Sequence, residues 1–194
     1  MGYQLTNAPD AEPLSVNDVK AHCRIEGTDD DALIGLLIPA VRQYCEHLTA
    51  RSLCTQKWAL VMDGFYLPET QVIYIEKGPV QSIDSITYTD MGGNLQTMLA
   101  ADYAVDLSGM RARLTPRFGK IWPITLPQIA SATINFTAGY GTPAAVPEGL
   151  KSWMKLRIGS LYENREDVLT GPRITVLEMP FVDRLLDAYR IVSA

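Results

Sequence analysis

The sequence predicts a mixed α+β protein: a helical bundle, made of an N-terminal helix pair and C-terminal helices, with an antiparallel β lobe inserted between them. Three observations carry this. Apolar residues recur at helical spacing over residues 29–50 and again after Pro147. Between these helices, from Trp58 onward, the period drops from 3.6 to 2. The stretch 136–167, FTAGYGTPAAVPEGLKSWMKLRIGSLYENRED, ends a strand in a glycine turn and launches an amphipathic helix, so it joins the two kinds of structure. At 194 residues the chain can bury one substantial core. It reads as a single domain over 1–194, with the helix pair at 14–51, the β lobe at 55–138 and the C-terminal helices and terminal segment at 146–194.

Residues 1–13 form a polar leader with Pro9 and Pro13, expected to be extended and mobile unless a partner orders it. Ser15 is a good N-cap, Asp18 completes a capping box, and Leu14 with Val19 makes a hydrophobic staple, so a short helix should run from there to about Gly27. Thr28 is the expected N-cap of the next helix. Asp29, Asp30 and Asp31 then place negative charge on its first turn, where the helix dipole favours it. Leu33, Ile34, Leu37, Val41, Tyr44, Cys45 and Leu48 define its apolar stripe over about five turns. Pro39 should kink this helix without breaking it, by removing the hydrogen bond to the Gly35 carbonyl.

Strand-like alternation follows. Trp58, Leu60 and Met62 share one face, and further short strands are expected over 72–75, 82–89, 95–99, 103–107 and 112–115. Met91-Gly92-Gly93-Asn94 is the clearest hairpin turn; Gly78-Pro79 and Ser108-Gly109 are weaker ones. The proline-rich stretch 117–127 reads as an irregular loop leading to a strand that ends at Thr137. In the helix after Pro147, residues Leu150, Trp153, Met154, Arg157, Ile158, Leu161 and Tyr162 lie near one stripe. A β-prone run at 174–177 precedes a last helix of about three turns from Pro180, carrying Phe181, Val182, Leu185, Leu186 and Tyr189. So short a helix must dock, on its own domain or on a neighbouring subunit.

Composition narrows the function. A 47% hydrophobic and 20% charged chain is ordinary for a soluble globular protein, and a net charge of -5 argues against a general nucleic-acid surface. The longest apolar run, residues 32–41, is ten residues and contains Gly35 and Pro39, too short and too interrupted to span a bilayer. No basic start or apolar block marks a signal peptide in the first ten residues. Cys23, Cys45 and Cys54 lack paired spacing and read as reduced core thiols of a cytoplasmic protein. His22-Cys23 and Cys45-Glu46-His47 cannot close on a metal, since residues one or two apart on a helix diverge. No serine sits in a nucleophile elbow and no phosphate-loop pattern occurs. Neither an enzyme nor a cofactor or metal site is expected.

Two binding readings remain. Arg111, Arg113, Arg117 and Lys120 form a basic run interleaved with Phe118 and Trp122, with no acid from 111 to 128; strand alternation puts Arg111 and Arg113 on one face. This is a solvated face, a partner contact or a weak DNA contact. Alternatively, Trp58, Tyr66, Tyr88 and Trp122 could line a site in a monomeric ligand- or carbohydrate-binding β domain, although aromatic residues at strand positions are more often core.

The order LSVNDVKAHCRIEGTDDDALIGLLIPAVRQYCEHLTARSL, TQKWALVMDGF, GPVQSIDSITYTD, DYAVDL and then FTAGYGTPAAVPEGLKSWMKLRIGSLYENRE resembles the head-to-tail connector (adaptor) proteins of tailed bacteriophages. The resemblance implies a virion structural protein, made in the host cytoplasm and located at the head–tail junction. It implies a homo-oligomeric ring, typically dodecameric in the virion, with a free subunit compatible with a monomer. The ring would lie beneath the portal protein, extend the DNA channel and dock a stopper or tail-completion protein. No catalytic residues come with it, and no membrane. On this reading Tyr140, between two glycines, would expose its ring on a tight turn. With the polar helix end Glu163, Asn164, Arg165, Glu166 and Asp167, and with Phe181, Leu185 and Tyr189, it forms the candidate subunit or portal interface. Arg111, Arg113, Arg117 and Lys120 become at most a weak, non-specific DNA or partner contact, because tight phosphate binding would hinder DNA sliding.

Overall fold

Ser15 and Asp18 set the first helix as their spacing predicts: the Asp18 N–H donates to Ser15 Oγ at 3.1 Å and the Ser15 N–H donates to Asp18 Oδ2 at 2.8 Å. The computed structural model describes residues 1–65, 71–164 and 180–191. Tyr66, Arg165, Glu166, Asp167 and the run 174–177 lie outside the described residues, as does the Phe181 side chain. Helix α1 (Val16–Cys23) stops short of Gly27 because Arg24 takes a left-handed conformation with φ 56. Leu14 and Val19, the expected staple, are both buried in one core cluster.

Helix α2 (Asp31–Thr49) runs unbroken through Pro39. Its N-cap is Asp30, without a side-chain cap, where Thr28 was expected. The acids here tie elements together instead: Asp31 pairs with Lys20 Nζ at 2.7 Å, and Asp30 accepts a 2.5 Å hydrogen bond from the Tyr162 hydroxyl. The buried face is Ile34, Ile38, Val41, Arg42, Cys45, Glu46 and Thr49, rotated from the predicted stripe so that Tyr44 is 51% exposed. Helix α3 (Glu148–Glu163) buries Leu150, Trp153, Met154 and Ile158, while Leu161 faces outward. Helix α4 (Pro180–Arg184) is five residues long and gives way to a single 3-10 turn at Asp187–Tyr189, where a helix of three turns was expected. These helices share one hydrophobic cluster centred on Ile34, Cys45, Trp153 and Leu186.

The strands are β1 (Gly2–Asn7), β2 (Gln56–Met62), β3 (Ile73–Ile75), β4 (Val80–Thr89), β5 (Leu95–Thr97), β6 (Tyr103–Asp106), β7 (Ala112–Pro116) and β8 (Ala132–Ala138). They form a five-stranded sheet, β1-β2-β8-β4-β5, and a three-stranded sheet, β3-β7-β6, all ladders antiparallel. A second core lies on both: Leu60, Ile86, Ile134 and Phe136 from the larger sheet meet Ile73, Ile75 and Leu114 from the smaller. The chain is thus mixed helix and antiparallel sheet.

The leader corrects an expectation. Residues 2–7 are ordered as an edge strand on β2, with Tyr3 opposite Leu60. The Tyr3 ring meets Phe136 edge-on at 6.3 Å, and its hydroxyl accepts the Glu76 N–H at 2.8 Å. An interlocked strand supplies the ordering that a polar sequence did not advertise.

Two features join the helices to the sheets. Gly139, at φ 128, lies so close to Cys54 that any Cβ would collide with the Cys54 carbonyl oxygen. A buried polar network sits beside it. Glu46 Oε1 accepts the Leu53 N–H at 2.8 Å and Gln56 Nε2 at 2.7 Å, while its other oxygen accepts Arg42 Nη1 at 2.9 Å. Arg42 Nε in turn donates to Glu12 Oε2 at 2.7 Å. The end of the leader, α2 and the start of β2 are thereby locked together.

Candidate functional site

The basic run becomes an ion-paired sheet face. Register places Tyr74, Arg113 and Asp106 in one row across β3, β7 and β6. Arg113 Nε donates to Asp106 Oδ2 at 3.0 Å, and the Ser108 hydroxyl together with Arg113 holds the Asp106 carboxyl well below the usual carboxylate range. The Arg111 guanidinium lies 4.9 Å from the Tyr74 ring centre and 3.5 Å from Glu76. Arg117 Nε donates to the Tyr103 carbonyl at 3.1 Å, and Lys120 pairs with Asp102 at 2.9 Å. Acids remote in sequence therefore screen a stretch that has none of its own. Arg111 and Arg113 do open on a common face, lining one groove.

The expected interface residues fare unequally. Tyr140 is half-buried against the helical core, with the Arg51 guanidinium 5.9 Å from its ring centre, so it does not present a free ring on the turn. Leu185 and Tyr189 also pack on that core, and Tyr189 lies across Gly149, where an added Cβ would come within 3.0 Å of the hydroxyl. Asp183 accepts Trp153 Nε1 at 3.0 Å and Arg157 Nη2 at 2.7 Å; the Ile191 N–H donates to the Thr49 carbonyl at 3.0 Å. The terminal element therefore docks on its own chain. Glu163 and Asn164 are exposed; the Asn164 side-chain amide donates to the Ser160 carbonyl at 3.0 Å, closing α3.

An outward apolar loop between β7 and β8 was missed. Phe118 is fully exposed, and Ile121, Ile124 and Ile129 are 71%, 72% and 87% exposed. The loop is nevertheless anchored: Trp122 stacks on Phe65 at 5.1 Å and donates through Nε1 to the Gln71 carbonyl at 2.7 Å. The signal was present in the sequence as isoleucines without either period in a proline-rich loop. The described aromatic residues of the alternative binding site, Trp58, Tyr88 and Trp122, are used in packing. Besides Trp122, Tyr88 meets Phe65 at 6.1 Å, and Trp58 lies under Lys77 and donates to Ser52 Oγ at 3.0 Å.

Burial pushes the Cys45 thiol up to about 12 and the Cys54 thiol up to about 11, as expected of inert core cysteines. Among the described residues no group of three or more His, Cys, Asp or Glu side chains could hold a metal ion. No described helix is long and apolar enough to cross a membrane.

Comparison with known proteins now bears on this geometry. The sequence model of the family described as phage gp6-like head-tail connector protein matches residues 13–102, which include α1, α2 and strands β2 to β5 up to the loop before β6. No curated protein matches in sequence. Solved structures match along the whole chain. A chain from the neck of an empty gene transfer agent (GTA) particle, computed with C6 symmetry, gives a TM-score of 0.82 at 23% identity, covering 100% of this chain and 97% of that one. A chain from the virion of a native GTA particle gives 0.80 at 24%, with the same coverage. A chain from the neck of a native GTA particle, computed with C12 symmetry, gives 0.78 at 23%, again over 100% and 97%. At such identities the likeness is one of fold, and it extends past the segment that the sequence model matches. Residues 13–102 thus resemble the phage gp6-like head-tail connector family, and the whole chain shares the fold of these particle-neck chains.

Proposed function

We propose that this protein is a structural subunit of a connector ring at the head–tail junction of a virion. The observation that carries the reading is the match over 97% of chains taken from particle necks, one computed with C6 and one with C12 symmetry, combined with the connector-family match. Copies of this chain form a homo-oligomeric ring of twelve beneath the portal, extend the DNA channel and offer the opposite face to a stopper or tail-completion protein. The helices form the bundle that serves as the body of the ring, and the sheets form a lobe set between them. The protein works by geometry and docking, without catalysis.

A closed ring needs a heterologous interface, two different patches on each subunit. The anchored loop carrying Phe118, Ile121, Ile124 and Ile129 suits one of them, because large apolar side chains held in water gain most from a partner. The exposed end of α3 at Glu163 and Asn164, continuing into Arg165, Glu166 and Asp167, is a second candidate. The ion-paired state of Arg113 and Lys120, with a net charge of -5 per subunit, fits weak non-specific DNA contact at most. Electron microscopy of the purified protein with and without its portal tests the proposal. Rings, free or on the portal, are expected; a lone particle that never joins a portal refutes it.

A further inference from the structure

The groove shared by Arg111 and Arg113 has a third arginine from a distant part of the chain. Tyr74 and Arg113 on the small sheet, Met110 and Arg111 on the loop before β7, and Arg190 and Ile191 of the terminal segment enclose about 400 Å³. The three guanidinium groups come from separate elements. Ile191 is fixed there through its N–H to Thr49, and its side chain and the Met110 carbonyl both crowd Gly78, so the groove wall is built from packed backbone.

Two of these arginines are loosely engaged. Arg111 lies 3.5 Å from Glu76 and Arg190 lies 3.4 Å from Asp187, both beyond the 2.7–2.9 Å of a charge-assisted hydrogen bond. Arg190 Nε is buried and has no hydrogen-bond partner among the described residues. The Arg190 side chain as a whole is 41% exposed and lines the groove, so its guanidinium is open to an acceptor beyond Asp187. Tyr74, Met110 and Ile191 supply apolar walls beside the cations.

We propose that this groove binds a short acidic peptide segment of a partner protein, one or two carboxylates meeting Arg111 and Arg190 while a neighbouring apolar side chain lies against Met110, Ile191 and the Tyr74 ring. The volume exceeds what one free carboxylate fills, and the apolar walls favour a ligand with hydrocarbon next to its charge. Duplex DNA fits less well. Glu76, Asp106 and Asp187 stand beside the three arginines and would repel a backbone carrying a charge about every 1.7 Å, whereas a peptide places its carboxylates only where the arginines are. The inference concerns the single subunit and does not depend on the ring.

The test is fluorescence anisotropy on the full chain at low salt with a labelled octapeptide of alternating glutamate and leucine. Its lysine–leucine counterpart and a 12-base-pair duplex serve as competing probes. The expected result is salt-sensitive binding of the glutamate peptide alone, weakened about 10- to 100-fold by Arg190→Gln and by Arg111→Gln, the loss expected from one hydrogen bond to a charged group. Ile191→Glu, at the groove edge, gives an independent variant expected to weaken binding through like charge, and thermal melts confirm that each variant is folded. No binding of the glutamate peptide, binding indifferent to these substitutions, or tighter arginine-dependent binding of the duplex would each overturn the proposal.

Discussion

Replacing Glu46 by alanine should be the most damaging single change at the joint between helices and sheets. Glu46 and Arg42 are each 5% exposed, and the carboxylate is the acceptor for the Leu53 N–H, the Gln56 amide and Arg42 Nη1. Each neutral donor left buried and unpaired costs about 1–3 kcal/mol. Breaking a buried ion pair costs about 3–5 kcal/mol, moderated here because Arg42 keeps Glu12 at 2.7 Å. A combined loss of about 3–5 kcal/mol is expected. At about 2–4 °C per kcal/mol for a chain of this size, the melting temperature should fall by about 6–20 °C. Glu46→Gln keeps an acceptor for Leu53 and Gln56 and turns an amide toward Arg42, so its cost should be roughly half as large. Glu12→Ala removes the partner nearest to solvent and should cost about 1 kcal/mol. Urea unfolding followed by tryptophan fluorescence measures all three. A Glu46→Ala loss below about 1 kcal/mol at unchanged denaturant slope would refute the claim that this network holds the joint.

Other consequences are equally accessible. Ile121→Asp with Ile129→Asp should leave the subunit's melting temperature within about 2 °C, because both side chains are already exposed, yet abolish rings in electron micrographs. Unchanged rings would remove the loop from the interface. The Asp183 carboxyl is held low by hydrogen bonds from Trp153 and then Arg157, so its contribution is present above the unfolded value of about 3.9 and is lost as pH falls through the lower folded value. Melting temperature should therefore drop below about pH 4 in the native protein and less steeply in Asp183→Asn. Cys45 and Cys54, with thiols raised to about 12 and 11, stay protonated when folded, whereas the unfolded thiols ionise above about pH 8.5. That difference lowers stability as pH rises through the interval, and maleimide at pH 8 should modify these two residues only after urea opens the core.

What could be read from the sequence was whatever a few neighbouring residues decide. The Ser15–Asp18 capping box, the 91–94 hairpin and the stripe of Leu150, Trp153, Met154 and Ile158 all follow from spacings of two to four residues, and the structure has each of them. The failures share a cause, which is dependence on a remote partner. Strand β1 is ordered by β2, whose paired residues lie 50 to 59 positions further on, and the basic run is screened by Glu76, Asp102 and Asp106. Arg42 and Glu46 carry no local sign of burial, because it is Glu12, Leu53 and Gln56 that make their burial tolerable. Tyr140 looked exposed because its glycine neighbours suggest a turn, and the helical core that covers it is built by distant segments.

The same reasoning explains why the candidate surfaces were the least legible part. A catalytic constellation announces itself by residue type, since proton transfer and metal binding draw on few side chains. A ring subunit needs only complementary shape and unpaired groups, and any residue can supply those. Which groups are unpaired is known only after the fold has assigned partners to the rest. Ile121, Ile124 and Ile129 stand out because every comparable side chain of β8 is buried, and Arg190, like Arg157, has a buried Nε without the acceptor that Arg42, Arg113 and Arg117 have found. For a protein proposed to act by docking, function is what the fold leaves unsatisfied, and the apolar loop and the three-arginine groove are two such places among the described residues.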